Sequence, residues 1–139
     1  MAPTRVFSIV AWILLPTVMF GGYSLLQLMV DGNILTPFQV TYFRAGHGHA
    51  GVLLLVALLY HSYLDKTSLP DRIKWPACAA MLVSILAISG GFFIHMAIGE
   101  PNRSSVGIII TVLGALLLTL DAFLLAYGLI KSPRVERGD

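Results

Sequence analysis

Four histidines, His47, His49, His61 and His95, stand in a chain otherwise poor in ionisable side chains. Imidazole moves protons near neutral pH, and its neutral form ligates metals and haem iron. His47 and His49 are separated only by Gly48. Residues two apart on an α-helix point about 200° away from each other. Such a pair cannot chelate one ion unless the helix distorts, but it can face two partners on opposite sides. Gly46, Gly48, Ala50 and Gly51 surround the two rings. Small residues let a helix approach another backbone, or a bulky flat ligand, closely. Arg44 lies one turn from His47, where a guanidinium can pair with carboxylates at a membrane edge.

These residues sit in a strongly apolar chain. Of 139 residues, 57% are hydrophobic and 12% charged, and the mean hydropathy is +0.83. Soluble domains carry about twice that share of charge, so a soluble globular domain and a disordered chain are both excluded. The single cysteine, Cys78, excludes an intramolecular disulfide, a Cys-x-x-Cys redox pair, a thiolate zinc cluster and covalent c-type haem attachment. A net charge of +2 is too small to point to nucleic acid.

Runs without Asp, Glu, Lys or Arg cover 6–30, 45–64, 75–99 and, apart from Asp121, 106–130. A bilayer core needs about 20 apolar residues in a helix. The expectation is an all-α membrane protein, a single four-helix domain over 1–139, with spans near 6–30, 40–64, 75–99 and 105–130. The first run is too long for a signal-peptide core and lacks a small-x-small cleavage site, so it reads as a true span. Asp31-Gly32-Asn33 ends the first helix, Pro37 opens the second, and Ser104 or Ser105 caps the fourth. Pro16 predicts a kink in the first helix.

Lys and Arg are distributed unevenly. Arg5, Lys66, Arg72, Lys74, Lys131, Arg134 and Arg137 fall on one side, against Arg44 and Arg103 on the other. The positive-inside rule then places both termini in the cytoplasm of a bacterial inner membrane. His47, His49 and His95 share one depth, roughly 5–15 Å below the outer surface. His61 lies about 21 Å deeper. Buried ionisable groups are costly within a span, so three at one depth favour a bound metal or haem over isolated core histidines. His61, between Tyr60 and Tyr63, reads as a belt or snorkelling residue. Asp121 reads as a structural hydrogen-bond partner of a Tyr or His.

The segment Thr41-Tyr42-Phe43-Arg44-Ala45-Gly46-His47-Gly48-His49 resembles the haem-binding helix of haem–copper oxidase catalytic subunits, which read T-Y-[YF]-V-V-A-H-F-H. Ile94-His95-Met96-Ala97-Ile98-Gly99 is similar to that family's H-H-M-F-T-V-G, whose histidines ligate copper. The family builds twelve helices as three four-helix arcs, and this chain resembles one arc. The resemblance implies that His47 and His49 ligate haem on opposite sides of one helix, with His95 near a second metal such as copper. It covers about 20 residues plus the topology. His95 stands alone where the family has a consecutive pair, and no H-P-x-x-Y segment is present, so the resemblance does not extend to the dioxygen-reducing centre.

Three copies restore the family's ring, and closed rings are common among homo-oligomers. The expectation is therefore a homotrimer with haem b at each interface, held by His47 of one copy and His49 of the next. Arg44, Gly48 and Gly51 complete the cofactor-binding set, and electron transfer is the default role of bis-imidazole iron. Three alternatives stay open. Haem could be held by His49 and His95 within one chain. His47, His49 and His95 could form an outward-facing copper or zinc site of a small transporter. The polar residues could also serve assembly alone.

Overall fold

The computed structural model describes residues 1–32 and 35–132, and all regular structure among them is helical. Four helices follow in order: α1, Pro3–Val30; α2, Pro37–Asp65; α3, Asp71–Ile98; and α4, Val106–Lys131. Each is long and apolar enough to cross a membrane. At 1.5 Å per residue, the shortest of them spans about 39 Å, more than a bilayer's hydrocarbon core.

Each of the four helices begins before, or ends after, the apolar run that announces it. Pro3 and Pro37 occupy first-turn positions, where a missing N–H costs nothing. Thr36 caps α2 in a reciprocal box: its hydroxyl accepts from the Gln39 N–H, and the Gln39 side chain accepts from the Thr36 N–H. Asp71 to Lys74 continue α3 below its apolar stretch. Of the two candidate caps for α4, Ser105 is the one used; its hydroxyl accepts from the Gly107 N–H. At the end of α1, Gly32 takes φ +70°, a turn conformation that suits glycine. Asn33, expected in this turn, lies outside the described residues. Pro16 sits inside α1, which continues through it as one helix.

The helices run alternately up and down. Thr4 at the start of α1 meets Asp65 at the end of α2. Ser132, just after α4, bonds Ser68 in the α2–α3 linker. One end of the molecule thus carries the start of α1, the α2–α3 linker and the end of α4; it is called the terminal end below. The opposite, loop end carries the other two linkers.

Helix α3 is the axis of the packing: 44% of its most apolar stretch is buried, against 11% for α1 and α4. It lies against α2 and α4 and touches α1, whereas α1 and α4 do not touch each other. Helices α2 and α4 also touch, so α2 and α3 form the middle of the packing with α1 and α4 at its two sides. Glycines set the α3–α4 seam: a Cβ on Gly91 would lie 2.5 Å from the Gly107 carbonyl oxygen, and one on Gly107 would lie 2.5 Å from the His95 nitrogen. Helices in lipid gain no hydrophobic drive from burying apolar faces on each other, so backbone approach of this kind supplies much of the association.

The apolar core lies toward the terminal end. It consists of Ala11 from α1, Leu54, Ala57, Tyr60 and Leu64 from α2, and Ala77, Cys78, Met81 and Ile85 from α3. Lys74 closes that end, donating from Nζ to the carbonyls of Asp65 and Thr67 and so satisfying the exit of α2.

Candidate functional site

The three histidines of the loop end occupy three different environments. His47 is half-buried and turned toward α1, where Gly21 and Gly22 leave room for it. A Cβ on Gly22 would lie 2.8 Å from the His47 Nε2. The glycine pair in α1 is the counterpart of the ring, and sequence reasoning missed it. Two adjacent glycines at mid-helix in an apolar run were the available signal.

His49 is exposed. Its Nδ1 lies 2.7 Å from the Ala45 carbonyl oxygen one turn back. That carbonyl can only accept, so Nδ1 carries a proton, and in the neutral ring Nε2 keeps its lone pair. Histidines that ligate metals are commonly held in this way, with the second nitrogen donating to a carbonyl. The ring lies 4.9 Å from that of Phe92 on α3. The two histidines of the His-x-His segment therefore leave α2 in different directions, His47 into the chain and His49 off its surface.

Arg44, Ala45, Gly48, His49 and Val52 line a shallow cavity of about 340 Å³. Gly48 has open space where a Cβ would be. The other two glycines of the segment are used inside the chain: Gly46 packs against Ser89 and Phe93, and Gly51 faces Val18. Arg44 is exposed and reaches back to the Met29 sulfur at 3.4 Å.

His95 is buried, and its Nδ1 lies 2.8 Å from the Ser105 hydroxyl. Tyr42 and Phe38 present their rings to it edge-on, with centroids 4.3 Å and 5.2 Å away. The imidazole ties the end of α3 to the N-cap of α4. Among the described residues, no three His, Cys, Asp or Glu side chains gather as a metal-holding group.

Two polar residues of the terminal half depart from the sequence expectation. His61 is not a belt or snorkelling residue: it is fully buried, and neither ring nitrogen has a partner. The reason is its helical face. Leu54, Ala57, His61 and Leu64 follow a 3-4-3 spacing that turns all four inward. Tyr63 takes the exposed position instead. Asp121 is buried as well, and its Oδ2 lacks the hydrogen bond expected from a Tyr or His.

No family model matches the chain, and no curated protein or solved structure is significantly similar to it.

Proposed function

We propose that the chain is a haem-binding integral membrane protein, similar to b-type cytochromes, whose α2 supplies the iron ligands at contacts between copies. The observation that carries this reading is His49. It stands on an outward face of a membrane-length helix, its Nδ1 is fixed by the Ala45 carbonyl, and its Nε2 has no partner among the described residues. An imidazole left in that state against lipid is costly, and ligation removes the cost.

The residues beside it suit a planar group. The open space at Gly48 admits a macrocycle edge, and Arg44 one turn away can pair with propionates. The cavity is too shallow to enclose a porphyrin and offers one wall of a site. A second copy supplies the other wall, with His47 of one chain and His49 of the next as the axial pair. Three copies closing a ring would hold three haems. His47 must then turn from Gly22 toward the neighbouring copy. When bound, the haem would supply one-electron transfer.

His95 does not favour the alternative sites. Its Nδ1 is engaged by Ser105 and its ring is enclosed by Tyr42 and Phe38, so it acts as a brace between α3 and α4. With termini in the cytoplasm, as the Lys and Arg distribution expects, the haem would lie toward the outer side of a bacterial inner membrane.

A reduced-minus-oxidised spectrum of the purified protein, with native mass spectrometry on the same sample, tests the proposal. The expected result is a bis-imidazole Soret band in a trimer carrying three haems. His47→Ala and His49→Ala should each abolish it, and His95→Ala should retain it. A colourless protein, or a pigmented monomer, would overturn the reading.

A further inference from the structure

The seam between α1 and α2 carries a second, unrelated feature at the terminal end. Thr4, Arg5, Ser8, His61, Ser62 and Asp65 line a cavity of about 410 Å³ there. An apolar groove of about 470 Å³, lined by Trp12, Leu55, Leu58 and Leu59, shares Ser8 and Ser62 with it. The two adjoin at these serines, a polar cleft followed by an apolar groove along α1 and α2.

The polar cleft holds one cationic and one anionic side chain that do not pair. The ion pair found among the described residues is Arg103 with Glu100, at the other end of the molecule. One Asp65 carboxylate oxygen accepts from the Thr4 hydroxyl at 2.7 Å, which leaves the second oxygen available. His61 lines the cavity and is fully buried, and neither of its ring nitrogens has a partner among the described residues. Its sides are closed by Phe7 and Tyr60, with centroids 6.1 Å and 5.9 Å away. Buried polar groups nearly always have a partner, so an unbonded imidazole facing a cavity marks a place where a ligand atom belongs. The Ser62 hydroxyl donates to the Leu58 carbonyl, which leaves Arg5, Ser8 and His61 as donors.

From this arrangement we infer a site for a zwitterionic aminophospholipid, with its headgroup in the cavity and one acyl chain along the groove past Trp12. Phosphate oxygens accept from Arg5, Ser8 and His61. The primary ammonium donates to Asp65. A purely anionic headgroup leaves Asp65 facing a like charge, and a choline has no N–H to give it. The inference does not depend on haem binding, since the site lies at the opposite end of α2 from His49.

Native mass spectrometry of the detergent-purified protein titrated with dioleoyl phosphatidylethanolamine, phosphatidylglycerol and phosphatidylcholine tests it. The ethanolamine lipid should bind about tenfold more tightly than the other two, the worth of one charge-assisted hydrogen bond. Asp65→Asn should bring ethanolamine binding down to the choline level, and Arg5→Gln should weaken all three lipids. His61→Phe should also weaken all three; should that variant fail to fold, Ser8→Ala reads the same headgroup contact. Equal binding of the three lipids in the unaltered protein, as for a general annular contact, would overturn the proposal. So would a preference for the glycerol lipid.

Discussion

The two halves of this molecule treat histidine in opposite ways. At the terminal end, helices α1 to α3 interlock over a continuous apolar core, and His61 is buried beside it, against the α1–α2 cavity. At the loop end Leu25 and Ile88 are the well-buried large apolar side chains among the described residues, and His49 stands on the surface. The rings of Phe38, Tyr42, Phe92 and Phe93 gather there without being fully covered. The terminal half is held together by its own side chains, and its open cavity lies in the α1–α2 seam beside that core. The loop half leaves an oriented imidazole exposed beside half-buried aromatic rings, and the proposed cofactor would sit there. The difference separates the half whose packing holds the fold from the half whose surface is left open beside His49.

The contrast can be broken by substitution. Leu64→Ala empties a fully buried position of the terminal core, and should cost about 2–4 kcal/mol. The loss should be the same with or without pigment. Unfolding in mild detergent, followed by circular dichroism, measures it; a loss that vanished on haem loading would erase the distinction between the halves. Next in size is His95→Ala, which removes the Ser105 bond and should cost about 1–3 kcal/mol by the same measurement. Its Soret band should be unchanged. A lost band would return His95 to the ligand set. The smallest effect on the fold belongs to Gly48→Ala. A methyl there meets nothing in the chain, so stability without pigment should stay within about 0.5 kcal/mol. Pigment recovery should fall nonetheless, because the methyl enters the space assigned to the cofactor. Full recovery would move the cofactor off that face.

Hydrogen exchange sharpens the same comparison without any substitution. Amides of α2 between Leu54 and Leu64 should exchange slowly whether or not pigment is present. Those between Tyr42 and Gly51 should slow markedly only when it is. Uniform protection along α2 in the pigment-free protein would show that the loop half is closed after all.

The sequence made the four spans legible because apolar runs of this length have few other uses. It marked their ends less well. Pro3, Asp71 and Lys74 belong to helices, yet a count of uncharged residues stops short of each. Helices outrun the hydrocarbon region, and charge does not end them. The divergence of His47 and His49 followed from helical geometry alone. Which of the two faces inward did not, since that depends on Gly21 and Gly22 in another helix. His61 was misjudged because its tyrosine neighbours outweighed its spacing from Leu54, Ala57 and Leu64. The bond from His95 to Ser105 joins residues across a turn, and no local pattern announces it.

The alternating course of the helices brings the start of α1 and the end of α4 to one end of the molecule. Copies set side by side in one membrane would present every head and every tail on a single face. A short linker could therefore string such units into one long polypeptide without adding or removing a crossing. An architecture of this parity is open to growth by tandem duplication, each new unit arriving already correctly inserted.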